Sequence, residues 1–298
     1  MKYFFLPIIF FTLFLSGPCL FLDALEIELT GGINNMAFDP EKKLHTSGPA
    51  EVPSGKSQIQ QIEGFPYVIG DFSLKNDISD VLGYNIQILR DPILQNNLIG
   101  KMTVNTENIN LEFGAFFGID DDIKKPDIGI LGSIELIFPG IIFLSVNGST
   151  SLGIKNELMG NNSRETAGAK LGFWLPNILP IFSAEIKTYT REEENSLIIR
   201  DELVRFIFSA DIFAKNSPFT LRIDAGYETF NRSYESETSQ KAELKAVFAG
   251  FEIKWQIIRQ FRLIAGFEMP LFIIEPEKNT PSTISLFKAY GGLAFTFF

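Results

Sequence analysis

The chain has 298 residues and a formal net charge of −10, with 45% hydrophobic, 13% aromatic and 21% charged residues. The acidic balance and the lack of a Lys/Arg run argue against nucleic acid as a partner. A polytopic helical membrane protein needs several stretches of about 20 apolar residues. The sequence contains one such stretch, so that class is excluded.

The apolar stretch opens the chain as MKYFFLPIIFFTLFLSGPCLFLDALE. Lys2 supplies a positive charge before the apolar core, and small residues follow it, which is typical of a secretory signal peptide. We therefore predict a signal peptide over residues 1–24, cleaved after Ala24. Two alternatives stay open: an uncleaved anchor helix, because the apolar run is long, and a lipoprotein signal at Cys19, which Pro18 fits poorly.

From residue 25 onward, apolar and polar residues alternate with the period of two that is typical of β-strands. In INLEFGAFFGI, for example, Ile109, Leu111 and Phe113 alternate with Asn110 and Glu112. The pattern predicts about fourteen strands, with about twelve as the lower count, an even number in either case. Their predicted positions are 25–36, 65–76, 82–91, 98–106, 109–119, 127–138, 140–153, 167–175, 181–191, 202–214, 218–230, 241–256, 260–271 and 285–298.

Alternation alone fits both a secreted β-sandwich and a membrane barrel. The polar faces carry glycines and opposed charges, which suits a wet interior. Short connections such as NDISD, TEN and PG alternate with long polar ones such as IKNELMGNNSRET, as in outer-membrane barrels. We therefore predict an all-β fold over residues 25–298, a transmembrane antiparallel up-and-down β-barrel, and keep the sandwich as the alternative.

One predicted strand, KAELKAVFAGFEIKW, changes phase. Leu244 and Phe248 precede the change, and Phe251 follows it on the other parity. An extra residue at Ala249 or Gly250 would restore the alternation, so we predict a β-bulge there.

The polar strand faces would line the inside of the barrel. A barrel of about fourteen strands is wide enough that these side chains need not fill it. Acidic and basic side chains occur there in similar numbers, which predicts weak selectivity with a slight preference for cations. The predicted pore-lining residues are Glu112, Glu135, Lys170, Glu185, Lys187, Arg205, Asp211, Arg222, Asp224, Glu228, Glu243, Lys245, Arg262 and Glu268.

Residues that carry chemistry are scarce in the predicted mature chain. Its one histidine, His45, lies in a long polar stretch that we interpret as a loop, and the one cysteine of the chain, Cys19, leaves with the signal peptide. Thiolate chemistry and a multi-histidine zinc site are thereby excluded. The acidic run at residues 120–122 is interpreted as a solvated loop instead of a cation site. We predict no enzyme activity, no catalytic residue, no metal and no cofactor.

The chain ends in KAYGGLAFTFF, with an assembly signature formed by Leu293, Phe295, Phe297 and Phe298. This ending resembles the C-terminal strand of bacterial outer-membrane β-barrel proteins, although Phe298 lies one residue beyond the alternation. With the signal peptide and the strand rhythm, the whole mature chain resembles porin-like barrels. Its Ile, Asn, Lys and Phe bias resembles those of spirochaetes.

The resemblance implies localisation in the outer membrane, contact with its lipid and recognition by the barrel assembly machinery. It also implies a passive pore or transporter for small hydrophilic solutes or ions. The alternative is a non-conducting structural or adhesive surface barrel, with a lumen closed by salt bridges and long loops that bind external partners.

Overall fold

The computed structural model describes residues 24–38, 45–46, 62–63, 66–77, 81–91, 95–119, 127–152, 162–192, 198–213, 218–235, 240–273 and 284–297. Every named element in these ranges is a β-strand. Among the described residues, no helix is long and apolar enough to cross a membrane.

The described strands fall into fourteen of ten residues or more and two of two residues. In chain order they are β1 (Ala24–Phe38), β2 (His45–Thr46), β3 (Ile62–Glu63), β4 (Pro66–Asp77), β5 (Leu82–Asp91), β6 (Gln95–Asn105), β7 (Ile109–Ile119), β8 (Asp127–Phe138), β9 (Ile142–Ser151), β10 (Ser163–Phe173), β11 (Ile178–Glu192), β12 (Ile198–Phe213), β13 (Phe219–Glu235), β14 (Gln240–Ile258), β15 (Phe261–Ile273) and β16 (Ile284–Phe297).

The fourteen long strands form one closed antiparallel sheet. From β4 to β16 each strand pairs with the next in the chain, and β1 pairs with β4 on one side and β16 on the other. Closure satisfies the backbone groups that an open sheet leaves unpaired at its edges. The predicted all-β, antiparallel up-and-down barrel of about fourteen strands is confirmed.

Connections of two to five residues join the strands at one end of the barrel, called here the turn end. Gly140 (φ 73°) and Asn177 (φ 65°) adopt the left-handed conformation there, which suits tight turns. The first residue of β1, Ala24, and the last of β16, Phe297, lie at this end because β1 and β16 pair antiparallel from Leu25 opposite Phe297. The opposite end, the loop end, carries the longest connections, although β5 and β6 are joined there by only three residues and β13 and β14 by four.

Alternation separates the side chains into an apolar outer face and a polar inner face. On β7, Phe113 is 51% exposed on the outside, while its neighbour Glu112 accepts a hydrogen bond from Ser133 Oγ on the inside (3.2 Å). The shortest of the long strands has ten residues. With a rise of about 3.4 Å per residue and a tilt of about 40°, it spans about 25 Å, the height of the apolar band of membrane barrels.

Aromatic pairs gather on the outer face near the turn end. Phe219 stacks on Trp255 with ring centroids 5.3 Å apart, and Phe261 lies 4.9 Å from Phe295. Rings at this level match the interfacial girdle of membrane barrels.

The predicted bulge at Ala249 or Gly250 is wrong, because β13 and β14 pair without interruption from Phe219 opposite Trp255 to Tyr234 opposite Gln240. The irregularities of β14 lie against β15, between Val247 and Phe248 and between Gln256 and Ile258. The phase of β14 is therefore constant along its length.

Because the phase of β14 is constant, one residue predicted to line the pore falls on the outer face. Ala246 and Phe248 lie on the inner face with Glu252 and are buried. Lys245 has the opposite parity, which is the phase of the outer face, so it does not line the lumen as predicted. Glu243 has the same parity as Lys245, and its side chain lies outside the described residues.

The loop interpretation of His45 also changes. His45 and Thr46 form β2, which pairs with Lys241 and Gln240 of β14. Because the pairing of β15 with β14 begins at Ala246, β2 extends the sheet at the loop end. The predicted signal segment up to residue 23, the acidic run at 120–122 and Phe298 lie outside the described residues.

Candidate functional site

The part of the inner face whose side chains the structure describes has two chemically different regions. We call the inner face of β5–β11 the amide wall, because uncharged amides and hydroxyls dominate it. We call the inner face of β12–β16 together with β1 the charged wall, because it carries a series of ion pairs.

The amide wall encloses a cavity of about 700 Å³, within the range of about 300–1,000 Å³ typical of small-molecule sites. Its lining consists of Asn85, Gln87, Asn97, Ile99, Lys101, Thr103, Asn105, Asn110, Glu112, Phe116, Leu131, Gly132, Ser133, Glu135, Ser145, Asn147, Gly148, Ser149, Arg164, Thr166, Ala167, Lys170, Glu185 and Lys187. The cavity follows the polar inner positions of seven consecutive strands.

Charged residues on the amide wall pair locally. Lys101 Nζ lies 3.3 Å from Glu112 Oε2, across the β6–β7 pair, and Lys187 Nζ lies 3.1 Å from Glu185 Oε1 on β11. Both pairs are partly exposed to the lumen, so each contributes little to stability. Their effect is to neutralise the wall.

An arginine at the centre of the charged wall joins three strands. Arg205 on β12 lies 3.2 Å from Glu228 Oε2 on β13 and 2.6 Å from Glu268 Oε1 on β15. Its guanidinium also stacks over the ring of Phe248, 4.0 Å from the centroid. Gly226, opposite Phe248 in register, leaves room for that ring, since a Cβ there would meet Phe248 and the backbone oxygen of Phe206.

Two further arginines continue the charged wall. Arg222 forms a bidentate bridge to Asp211, with Nε and Nη2 at 2.6 and 2.9 Å from the carboxylate oxygens. Arg262 Nη2 lies 2.9 Å from Glu26 Oε1 and 3.3 Å from Glu28 Oε2. The two contacts of Arg262 join β15 to β1 across the intervening strand β16.

Tyr290 and Lys254 complete the charged wall around Glu252. Tyr290 donates a hydrogen bond to Glu252 Oε2 (2.5 Å), and Lys254 Nζ lies 3.0 Å from Glu252 Oε1. Among the side chains that the structure describes, the charged wall thus holds four cations, Arg205, Arg222, Lys254 and Arg262, against eight carboxylates, Glu26, Glu28, Asp201, Asp211, Asp224, Glu228, Glu252 and Glu268. This wall carries an acidic excess.

A buried polar cluster, the Arg164 cluster, lies at the loop end of the amide wall. Arg164 Nε is 2.8 Å from Asp127 Oδ1, and its Nη1 donates a hydrogen bond to Asn97 Oδ1 (3.0 Å). Its guanidinium lies 4.6 Å from the ring centroid of Tyr189. Ser151 Oγ donates to Asp127 Oδ2 (2.7 Å). Side chains from five strands, β6 and β8–β11, therefore meet in this cluster.

An apolar cluster lies at the turn end of the same side of the barrel. Phe143, Leu179 and Ile181 are buried together, with Ile137 and Phe213 packed against them. The cavity of the amide wall therefore has a polar cluster toward the loops and an apolar one toward the turns.

Twelve of the fourteen residues predicted to line a pore lie on the inner face of the barrel. Glu112, Glu135, Lys170, Glu185 and Lys187 line the cavity of the amide wall. Arg205, Asp211, Arg222, Asp224, Glu228, Arg262 and Glu268 lie on the charged wall, most of them in direct ion pairs. The remaining two are Lys245, at the outer-face parity, and Glu243, which shares that parity and whose side chain lies outside the described residues.

Sequence reasoning missed the Arg164 cluster and the uncharged lining. The sequence pattern predicts that β10 starts at residue 167, which leaves Arg164 in a loop, whereas the strand starts at Ser163. Arg164, Thr166 and Gly168 occupy the same alternate positions as Lys170. The alternation therefore reaches back to residue 164, and it would have allowed a prediction of the longer strand. The predicted pore-lining set contains charged residues only, and it therefore does not include the asparagines and serines of the amide wall.

Comparison with known proteins yields similar architectures at low identity. No protein-family profile and no curated protein matches the chain. An outer-membrane channel of Pseudomonas putida is 9% identical, with 95% of this chain and 100% of that chain covered and a TM-score of 0.47. A FadL homologue of Pseudomonas aeruginosa is 10% identical, with 93% and 90% covered and a TM-score of 0.46. An anion-selective porin of Comamonas acidovorans is 8% identical, with 92% and 100% covered and a TM-score of 0.36.

Proposed function

We propose that this chain is an outer-membrane barrel that forms a passive pore for small hydrophilic solutes or ions and has no catalytic activity of its own. The observation that carries the proposal is a polar cavity of about 700 Å³ inside a closed barrel. A diffusion pore requires a water-filled interior lined by polar groups. A polar cavity whose charged side chains are paired with one another meets this requirement.

The outer face supports a location in lipid. Large apolar side chains are exposed around the barrel, among them Phe182, Phe206 at 56% and Ile134 at 53%. A soluble protein rarely exposes a continuous apolar surface of this kind. We therefore propose that the predicted signal peptide over residues 1–24 exports the chain and that β16, with Leu293 and Phe295 on its outer face, is read by the barrel assembly machinery.

Single-channel recording tests the pore. The mature protein, refolded and inserted in a planar bilayer, should give discrete current steps in KCl, and a salt gradient should show a weak preference for cations. A preparation unfolded by boiling is the control, because heat-modifiable barrels lose their fold on boiling. A folded, inserted barrel that gives no current steps would contradict the proposal.

A second candidate function is a non-conducting barrel whose loops bind external partners. The observation that favours it is the Arg164 cluster, in which Arg164, Tyr189 and the carboxylate of Asp127 are buried among inner-face residues. A lumen closed by such clusters would serve structure or adhesion. The silent outcome of the recording would support this function, and binding assays on the long loops would follow.

A further inference from the structure

The cavity lies against the amide wall, and its lining is unusual in its content of uncharged polar groups. Eleven of the lining residues carry an amide or hydroxyl side chain: Asn85, Gln87, Asn97, Thr103, Asn105, Asn110, Ser133, Ser145, Asn147, Ser149 and Thr166. Each of these groups can both donate and accept hydrogen bonds. Such a surface binds a solute through several hydrogen bonds and does not require the solute to be charged.

The charges that do line the cavity cancel. The cations are Lys101, Arg164, Lys170 and Lys187, and the carboxylates are Glu112, Glu135 and Glu185, with Asp127 paired to Arg164 just behind the surface. A balanced lining does not concentrate ions of either sign. Among the side chains that the structure describes, the acidic excess of the lumen lies instead on the charged wall.

One lining hydroxyl is buried without a partner. Thr103 is 6% exposed, and its Oγ1 has no hydrogen-bond partner in the described part of the chain. Buried polar groups are nearly always paired, and an unpaired one in a binding cavity is often satisfied by a solute or a water. Thr103 lies opposite Glu112 in register and so lies within the cavity.

An aromatic ring adds an apolar surface to the same cavity. Phe116 lines the cavity, and its ring packs over Gly129, where a Cβ would meet ring atoms. A mostly polar site with one ring edge or face suits a solute that has both hydroxyl groups and apolar C–H surfaces.

From these features we infer that the amide wall is a binding site for a neutral polyhydroxylated solute of the carbohydrate class, taken up from the lumen. The inference rests on the proposed pore, because the lumen is the route to the cavity. It deepens that proposal by separating two tasks: the amide wall binds the neutral solute, and the charged wall sets the ion preference.

Sucrose is the probe for this inference, and a polyethylene glycol of similar mass is the control, since it has few hydroxyl groups. Sucrose should reduce the single-channel current with a saturable dependence on concentration, whereas the glycol should reduce it in proportion to concentration. Calorimetric titration of sucrose into the refolded protein in detergent measures the same binding without conduction.

Two variants test the assignment to the amide wall. Thr103→Val and Asn147→Leu remove hydrogen-bonding groups and should weaken sucrose binding at least about tenfold, since a site built to pair hydroxyl groups loses strongly when one partner is deleted. Arg222→Gln on the charged wall is the matched control and should leave the sucrose affinity unchanged. Equal weakening in all three variants would overturn the assignment.

Other outcomes separate the two proposals. A conducting barrel with no saturable block and no heat of binding overturns the carbohydrate inference and leaves the pore standing. A silent barrel that still binds sucrose in the calorimeter leaves the binding site standing and overturns the pore. A silent barrel that binds no sucrose overturns both.

Discussion

The guanidinium of Arg164 lies 2.8 Å from the carboxylate of Asp127 although the two residues belong to β10 and β8, with β9 between them. The pair is 2% and 4% exposed. The contact is a buried ion pair, and Nη1 of the same guanidinium donates a hydrogen bond to Asn97 Oδ1. The contact thereby links β8 to β10 across β9 at the loop end of the amide wall.

Removing one member of this pair should destabilise the barrel. We predict that Arg164→Met costs about 3–5 kcal/mol in the free energy of unfolding, because it leaves the carboxylate of Asp127 buried and unpaired. The double variant Arg164→Met with Asp127→Asn should recover much of that loss. Urea titration of the refolded barrel in lipid measures both values. Equal losses in the single and double variants would show that the pair does not matter.

Adjacent residues on opposite faces of β7 should respond differently to substitution. Phe113→Arg places a charge on the outer face and should cost about 2–4 kcal/mol if the site lies at the bilayer midplane. Glu112→Gln on the inner face leaves the hydrogen bond from Ser133 possible and should leave folding intact. Heat-modifiability on gels and urea titration measure the two variants. Similar behaviour of both would mean that the assigned faces are wrong.

The acidic excess of the charged wall predicts opposite effects on ion selectivity. Asp224→Asn removes one carboxylate and should lower the cation preference, whereas Arg222→Gln frees Asp211 and should raise it. Each change should be below about fivefold in the permeability ratio, because one unit charge at about 4 Å in water is worth about 1 kcal/mol.

Reversal potentials in a KCl gradient measure this ratio for both variants. Glu112→Gln on the amide wall serves as a further comparison, because it alters a wall whose charges balance. Shifts of the same sign for Asp224→Asn and Arg222→Gln would contradict the assignment of both side chains to the ion path.

The constant phase of β14 predicts unequal tolerance at two adjacent positions. Ala246 is 0% exposed, so Ala246→Leu should overpack its surroundings and cost about 1–3 kcal/mol. Lys245→Leu, at the outer-face parity, should change stability by less than about 0.5 kcal/mol. Urea titration compares the two variants. A larger loss for Lys245→Leu would restore the bulge that the sequence suggested near Gly250.

The alternation of residue types was sufficient to predict the class of fold. In a strand with one apolar and one polar face, apolar and polar residues alternate with a period of two. This pattern is local, so a stretch such as INLEFGAFFGI shows it without reference to the rest of the chain. The tight turns at Gly140 and Asn177 also depend only on neighbouring residues in the sequence. Strand ends were predicted less well, because β10 and β12 continue into segments whose polarity is typical of loops.

Which inner residues meet was decided by the tertiary structure alone. Register and closure place Arg164 beside Asp127 across a strand, and they bring Arg262 of β15 to Glu26 of β1, the strand at the other end of the chain. Such contacts depend on barrel radius and strand stagger, which no local pattern encodes. The sequence by itself determined that the barrel would have a polar interior; closure of the sheet decided that its charges pair along one wall and leave a neutral cavity against the other.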